Sequence, residues 1–480
     1  MSTLEKLSEL ESRRAIIMNN NKNGFDARKK ISMLLDENSF VEIGTFVKSR
    51  STAFDLANVD TPADGVVTGY GTVNGRPVYV YSQDKTVLGG AIGEMHAKKI
   101  IRIYEEALKV GAPVIAFLDT AGLRLQESID GLECYGRLYS KMVNASGKIP
   151  QIAIVNGNCS GGASFILGLS DYVFMNDVSA KVFLNSPNTM DNKSEAESIE
   201  IAKTHLEVTG LADITADDEY ELVSKVSKLL SYLPQNSKEV GPFYETEDDL
   251  NRVDISLNTF DIEQGLMRDI AVSIADRNEI FELGNGYGKD SLIAFIRMDG
   301  GTVGIISNID KRMSYKAVKK ITKFIKICST YNIPIVSLTN IEGFESTPET
   351  ENLGMINECS KMIRAFAKTD VAKVNVIVGK AYGSGYVAMN SQMLGCDMTY
   401  AWPSAIVAPM EASSAMKIMY GNEIENKTML KEEFDNKLAE YESLASSAYV
   451  CAARGMIDDL IEPAATRKRI IAALQVLSQK

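Results

Sequence analysis

The chain repeats its own pattern once, with the second copy beginning near the midpoint. Pro113 is matched by Pro334, and Gly122 by Gly343, at one identical offset. Gly75 is matched by Gly300, and Gly162 by Gly385, at nearly the same offset. Four anchors close to one offset imply that a whole domain is duplicated. The period is far too long for a stacked solenoid. Each half reads in the same order. GVVTGYGTVNGRPVYVYSQD alternates, is rich in Val, Tyr and Thr, and carries Asn74-Gly75 at its centre, which predicts a β-hairpin. SLIAFIRMDGGTVGIISN places Asp299-Gly300 in the same position. In both halves there follow an amphipathic helix, a short apolar strand ending in a glycine turn, and a second strand running into glycines. Short β-rich runs alternating with helices predict α/β units. Residues 1–60 read as a helical lead-in, with an amphipathic turn of helix between Phe25 and Phe40. The polar stretch Leu233–Asn251 carries Pro and Gly at the midpoint and is the expected linker between domains 1–240 and 241–480.

Composition narrows the chemistry. Hydrophobic residues at 45% and charged residues at 24% place the chain among globular proteins. A net charge of -12, one Trp and no Lys/Arg block argue against nucleic-acid binding. No uncharged apolar stretch approaches the length of a membrane span. The N-terminal segment is charged and Asn-rich without an apolar core, so a cytoplasmic protein without a secretory signal is expected. Six scattered cysteines with no C-x-x-C pair fit reduced thiols. Two histidines, His96 and His205, leave no multi-His metal centre, and a Ser-His-Asp triad must use one of these two. No metal site is expected.

What remains is backbone chemistry. Asn156-Gly157-Asn158-Cys159-Ser160-Gly161-Gly162-Ala163 and Lys380-Ala381-Tyr382-Gly383-Ser384-Gly385-Tyr386 each follow a strand and open a helix. Glycine lets a ligand approach the backbone, and a helix start leaves N–H groups unpaired. Such amides hold an anion or a developing oxyanion. A single turn of this kind is only a tight connection; two at matching places point to two oxyanion holes. In the loop Asp119–Glu127, Arg124 and Glu127 either touch a ligand or form a solvated surface pair. His96 reads as a satisfied packing residue, Cys159 as a small buried side chain and Trp402 as core. Lys417 in Ser-Ala-Met-Lys-Ile-Met sits in a helical context with a core-facing Met stripe, and Arg467-Lys468-Arg469 reads as a solvated face.

Ten segments carry a resemblance that spans nearly the whole chain. They are ARKKISMLLDENSFVE, VYVYSQDKTVLGGAIGEMHAKKI, GAPVIAFLDTAGLRLQES, ASGKIPQIAIVNGNCSGGA, AKTHLEVTGLAD, RMDGGTVGIISN, NIPIVSLTNIEGF, KAYGSGYVAMNS, YAWPSA and ARGMIDDLIEP. In this order they resemble the carboxyltransferase subunit of biotin-dependent acyl-CoA carboxylases and decarboxylases, leaning toward the propionyl-CoA carboxylase beta and methylmalonyl-CoA decarboxylase alpha branch. The resemblance implies an α/β protein of two tandem crotonase-like ββα-superhelix domains, the first binding acyl-CoA and the second biotin. It implies that the Gly161 and Gly162 amides hold the thioester oxygen as its enolate forms, with Ala121, Gly122, Leu123, Arg124, Ala163 and His205 around the substrate. It implies that the Ser384 and Gly385 amides hold the ureido oxygen of biotin, with Gly343, Phe344, Tyr382, Gly383 and Val387 around it. The cofactor is then the base, which suits a histidine-poor chain.

The same resemblance implies that biotin arrives on a separate biotin carboxyl carrier protein, and that a biotin carboxylase or a membrane decarboxylase subunit completes the complex. The chain itself is implied to form a dimer or trimer of dimers, with each site between the first half of one subunit and the second half of another. The implied substrate is a propionyl/methylmalonyl or acetyl/malonyl thioester. This chain departs from the family pattern at Glu345-Ser346, Asn357-Glu358-Cys359, Met410-Glu411-Ala412, Asn185–Asn188, Ile199–Ile201 and Val387. Those departures keep two alternatives open: an assembly subunit without turnover, and a malonyl-thioester decarboxylase subunit.

Overall fold

Each sheet contains a hairpin, as the Asn-Gly and Asp-Gly steps require. Asn74 and Gly75 adopt φ 51 and 75, and Asp299 and Gly300 adopt φ 51 and 72, the left-handed pair that matches the twist of two antiparallel strands. The computed structural model describes residues 3–19, 27–190, 198–426, 428–445 and 447–478. It divides into two units, Met1–Glu239 and Val240–Lys480.

The first unit holds an eight-stranded sheet in the order Val41–Ile43, Val66–Val73, Arg76–Gln83, Val114–Thr120, Gln151–Ser160, Tyr172–Asn176, Ile214–Ala216, with Lys181–Phe183 joining the far end of Gln151–Ser160. The second unit repeats it as Ile280–Glu282, Ser291–Met298, Gly301–Asn308, Ile335–Ile341, Lys373–Tyr382, Met398–Ala401, Asp459–Leu460, with Ile406–Ala408 joining Lys373–Tyr382. Pairing is antiparallel through each hairpin and parallel beyond it. The lead-in is not helical throughout. Helices Thr3–Asn19 and Ala27–Leu34 are present, but Val41–Ile43 forms an edge strand against Thr68–Tyr70, where its β-branched residues gain a ladder. Phe25 and Asp26 lie outside the described residues.

In the first unit, helix Glu94–Val110 buries Ile100, Ile103, Tyr104 and Ala107 at helical spacing, in one core with Leu138 and Met142 of helix Ser128–Ala145. That core anchors the second glycine-bearing strand of the half, whose residues Ala153, Val155 and Cys159 belong to it.

Buried polar side chains are duplicated along with the strands. Gln83 Oε1 accepts from the Asp119 amide at 3.3 Å, and Asn308 Oδ1 accepts from the Asn340 amide at 3.0 Å. Asp119 Oδ1 accepts from the Asn158 amide at 3.2 Å, and Asn340 Oδ1 accepts from the Lys380 amide at 2.9 Å. Each link satisfies a backbone donor near the end of a strand, so the strand ends are held where the glycine turns begin.

A buried lysine occupies the same place in each half. Lys99 donates to the carbonyls of Ala63 and Val66. Lys320 donates to Gly284 at 3.3 Å, Gly288 at 2.8 Å and Ser291 at 2.7 Å. Burial pushes Lys99 down to about 7 and Lys320 down to about 8. Replacing Lys320 by Met leaves three carbonyls without this donor and is expected to cost about 2–4 kcal/mol. The folded value of Lys320 lies below that of the unfolded chain. From pH about 8 to ~10.4 the unfolded state therefore binds more protons, and wild-type stability rises with pH. Urea unfolding across that window should show the gap between wild type and Lys320→Met widening as pH rises; a constant or narrowing gap contradicts the burial argument.

Candidate functional site

Strand Gln151–Ser160 passes directly into the turn Gly161–Ser164 and helix Phe165–Leu169. Gly161 holds φ 60, a conformation that a side chain disfavours. Ser160 occupies the N-cap but makes no side-chain cap; its hydroxyl donates to the Thr120 carbonyl at 3.4 Å instead. The amides of Gly161, Gly162 and Ala163 therefore start a helix whose cap residue leaves them unpaired by its side chain.

The loop Ala121–Arg124 lies against this turn. Gly122 has φ 96, and a Cβ built on it falls 2.8 Å from the Ser160 carbonyl oxygen. A Cβ on Gly157 collides with the Asp119 carboxylate. Tyr139 of helix Ser128–Ala145 reaches the turn from the other side, its hydroxyl donating to the Gly162 carbonyl at 2.6 Å. Burial pushes the Tyr139 phenol up to about 12, so it remains a donor at neutral pH. Leu123 is half-buried and packs on the core. Ala163 and Cys159 are fully buried, and burial pushes the Cys159 thiol up to about 12, as expected for an inert packing residue.

Arg124 corrects the solvated-pair reading. Its guanidinium is wholly buried, 2.7 Å from Asp64 Oδ1 and 2.8 Å from Glu127 Oε1. It also donates to the Ala91 carbonyl at 3.0 Å. Glu127 in turn accepts from the Glu94 amide at 2.5 Å, at the start of helix Glu94–Val110. Burial raises the Asp64 carboxyl, and Arg124 beside it pulls the other way. This ion triad ties the loop to the helix start. The sequence could not show it, because Asp64 lies far upstream, before the first hairpin.

His96 is fully buried, its Nδ1 2.9 Å from the Asp64 carbonyl and its Nε2 3.2 Å from Gln83 Nε2. Burial and then Arg124 hold it well below its ordinary value, so it is a neutral packing residue. His205 has Nε2 2.9 Å from the Val182 carbonyl and Nδ1 3.2 Å from Thr209 Oγ1. Burial lowers it too.

The second unit repeats the turn. Strand Lys373–Tyr382 runs into helix Gly383–Ala388, whose N-cap Tyr382 makes no side-chain cap. Gly383 holds φ 52, and a Cβ on it falls 2.8 Å from the Pro409 carbonyl. Gly385 packs against Gly343, with a built Cβ 3.0 Å from Gly343 Cα. Ser384 is exposed, Tyr382 is buried, and Gly343, Phe344 and Val387 are half-buried. Strand register makes the turns equivalent: Asn158, Cys159 and Ser160 pair with Lys181–Phe183 as Lys380, Ala381 and Tyr382 pair with Ile406–Ala408. Gly161 thus matches Gly383, Gly162 matches Ser384 and Ala163 matches Gly385. The amide pairs expected from sequence, Gly161/Gly162 and Ser384/Gly385, stand one residue out of register.

Beside the second turn, Lys380 Nζ lies 2.9 Å from Glu342 Oε1 and 3.3 Å from Glu263 Oε1, and Glu342 first raises its value. Sequence reasoning misses this network, since its members lie far apart in the chain. Exposed Glu411 adds to the negative field at Tyr382. Trp402 lies in the core, its Nε1 donating to Thr466 Oγ1 at 3.0 Å. Lys417 is exposed on helix Ala412–Met419; Met416 is buried but Met419 is half exposed, so the Met stripe faces the core only in part. Arg467 corrects the solvated-face reading: it is buried and pairs with Asp276 at 2.6 Å, because its helix packs this face on the second unit's core. Among the described residues no His/Cys/Asp/Glu group is arranged to hold a metal ion.

Comparison with known proteins adds independent findings. Residues 19–480 match the model of the carboxyl transferase domain. The chain is 38% identical over 466 residues to the methylmalonyl-CoA decarboxylase subunit alpha of Veillonella parvula, covering 95% of this chain and 90% of that one. It is 38% identical over 472 residues to the methylmalonyl-CoA carboxyltransferase 12S subunit of Propionibacterium freudenreichii subsp. shermanii, covering 95% and 88%. The crystal structure of a transcarboxylase 12S hexamer with methylmalonyl-coenzyme A and methylmalonic acid bound is similar at a TM-score of 0.95 and 34% identity, over 100% of this chain and 96% of that one.

Proposed function

The chain belongs to the carboxyl transferase family, and from that premise we propose that its first half presents a CoA thioester and its second half biotin, each held by amides at a bare helix start. The protein is an enzyme of crotonase fold in two copies, the carboxyltransferase component of a biotin-dependent acyl-CoA carboxylase or decarboxylase. One observation carries the assignment of sites. Two helices begin without a side-chain cap at register-equivalent places, each behind a left-handed glycine.

In the first half the Gly161 and Gly162 amides face the thioester oxygen. Loss of the α-proton moves charge onto that oxygen, and fixed amides stabilise it more than they stabilise the neutral ester. In carboxylation the α C–H bond breaks, its electron pair forms the new C–C bond to CO2, and the proton leaves to a base; decarboxylation is the reverse. Both histidines are buried and occupied, so the protein offers no imidazole for that proton. Biotin, when bound, supplies that base in its ureido nitrogen and carries the carboxyl group. The second turn suits a ureido oxygen: Ser384 is exposed at the helix start, and Gly343 and Gly385 pack closely enough to leave the amides bare of side chains. Ala121, Gly122, Leu123 and Ala163 shape the first site, and Phe344, Tyr382, Gly383 and Val387 the second. Arg124 and His205 act from beneath the first site.

The relatives' names point to methylmalonyl-CoA or its propionyl partner as the substrate. A biotin carrier protein and further copies of this chain are the partners. No described helix is long and apolar enough to cross a membrane. The test is decarboxylation by the purified protein with free biotin, offering malonyl-CoA and methylmalonyl-CoA in turn. Biotin-dependent loss of carboxylate establishes the activity and ranks the acyl groups. No turnover with either, with intact oligomers and no CoA binding, leaves an assembly subunit as the better account.

A further inference from the structure

Two consecutive glycines make a poor fixed donor. Gly161 and Gly162 together have more backbone freedom than any other pair, and freedom at the donor is loss of preorganisation. The Ser164 hydroxyl holds the Gly161 carbonyl at 2.8 Å, and so the peptide unit of the Gly162 amide; the next unit, which carries the Ala163 amide, is held by the Phe165 amide and from outside the turn. In the second half, backbone packing does this: Gly383 lies under the Pro409 carbonyl and Gly385 against Gly343. In the first half a Cβ on Gly161 meets nothing within 4 Å. What does touch the turn is a phenol. Tyr139 donates to the Gly162 carbonyl at 2.6 Å. Its ring is itself held, stacked on Tyr135 at 5.4 Å and 13° and edge-on to Phe165 at 6.0 Å and 74°. The hydroxyl also lies 3.1 Å from where a Cβ on Gly162 would be, so the phenol faces the glycine directly.

Among the described residues, the duplicated half shows no equivalent. At the matching place on helix Met355–Lys368, the Ser360 hydroxyl donates to Ile356 of its own helix at 2.8 Å, and Lys361 pairs with Glu358. The tyrosine contact therefore belongs to one turn and not to the fold in general.

We infer that Tyr139 is a positioning residue for the acyl-CoA site: by binding the Gly162 carbonyl it fixes the peptide unit that carries the Ala163 amide, the register equivalent of the Gly385 amide, so that this donor points at the thioester oxygen beside the Gly161 and Gly162 amides before charge develops there. This rests on the first turn being the thioester site. A clamp on the donor acts on the transition state more than on the bound ester, because the neutral carbonyl tolerates a loose donor and the enolate oxygen does not.

The experiment is steady-state decarboxylation with free biotin by wild type and Tyr139→Phe, using whichever of malonyl-CoA and methylmalonyl-CoA wild type turns over, with thermal unfolding alongside. Phenylalanine keeps the ring, the stack and the edge contact and removes only the donor. The expected result is a kcat about tenfold lower, with KM for the CoA ester within twofold and an unchanged unfolding midpoint. An unchanged kcat overturns the inference. So does a fall in kcat matched by a rise in KM, or by a lowered midpoint, since either marks a packing residue. A wild type inactive on both esters, with CoA binding lost, fails the assignment of function on which the inference rests, and is told apart from those results by the wild-type control.

Discussion

Gly162→Pro is expected to lower kcat for biotin-dependent decarboxylation about 10²–10³-fold, the loss typical of one oxyanion donor. Gly162 is the second residue of the turn, where a proline ring is tolerated because the amide it removes has no partner within the helix. Its φ is not among the positive values in the chain, so the position lies outside the left-handed region that proline cannot enter. The variant should still bind CoA ester, since most of the ligand lies away from the reacting oxygen, and KM should move little. Gly162→Ala separates the amide from the glycine. It keeps the N–H, its Cβ falls 3.1 Å from the Tyr139 hydroxyl, and its loss should be much smaller than that of proline. Paired kcat and KM measurements decide the matter. A proline variant within threefold of wild type would remove this amide from the mechanism.

Ser384→Pro is expected to be comparably severe in the other half, with a different signature. Ser384 stands second in the helix Gly383–Ala388 and is exposed. Removing its amide should abolish dependence of the rate on free biotin, while CoA-ester binding, measured directly by calorimetry, stays at the wild-type value. Ser384→Ala keeps the amide and discards only the hydroxyl, so it should retain most of the activity. If alanine is as damaging as proline, the side chain and not the backbone is the functional group. If neither alters the biotin dependence, the biotin site lies elsewhere.

Both variants act on atoms that every residue but proline possesses, and this is why the site is partly legible in the sequence. The turns are visible because glycine is diagnostic where backbone must bend to left-handed φ, and Gly161 and Gly383 do bend there. The hairpins are visible for the same reason, at Asn74-Gly75 and Asp299-Gly300. By contrast, Arg124 reads as either a ligand contact or one half of a solvated pair with Glu127, yet it is wholly buried against Asp64. Arg467 is misread in the same way, its partners Asp276 and Asp248 lying near the other end of the second unit's sequence. A charge looks solvated in a sequence whenever its counter-charge is distant along the chain. Tyr139 and Lys380 escape notice for the same reason.

The duplication, the alternation of strands and helices, and the two glycine turns follow from local rules that act over a few residues: φ at glycine, side-chain periodicity, and the cost of an unpaired amide. These the sequence alone determined. Which amide in each turn corresponds to which, what holds the Gly162 carbonyl, and which charges are buried depend on strands and helices distant in the chain meeting at one point. The strand register that matches Gly162 to Ser384, the phenol of Tyr139 on the Gly162 carbonyl, and the lysines that bind carbonyls at the same place in both halves are contacts between distant parts of the chain. They follow from the folded arrangement, because burial and hydrogen bonding depend on distance in space, and the chain order does not set that distance.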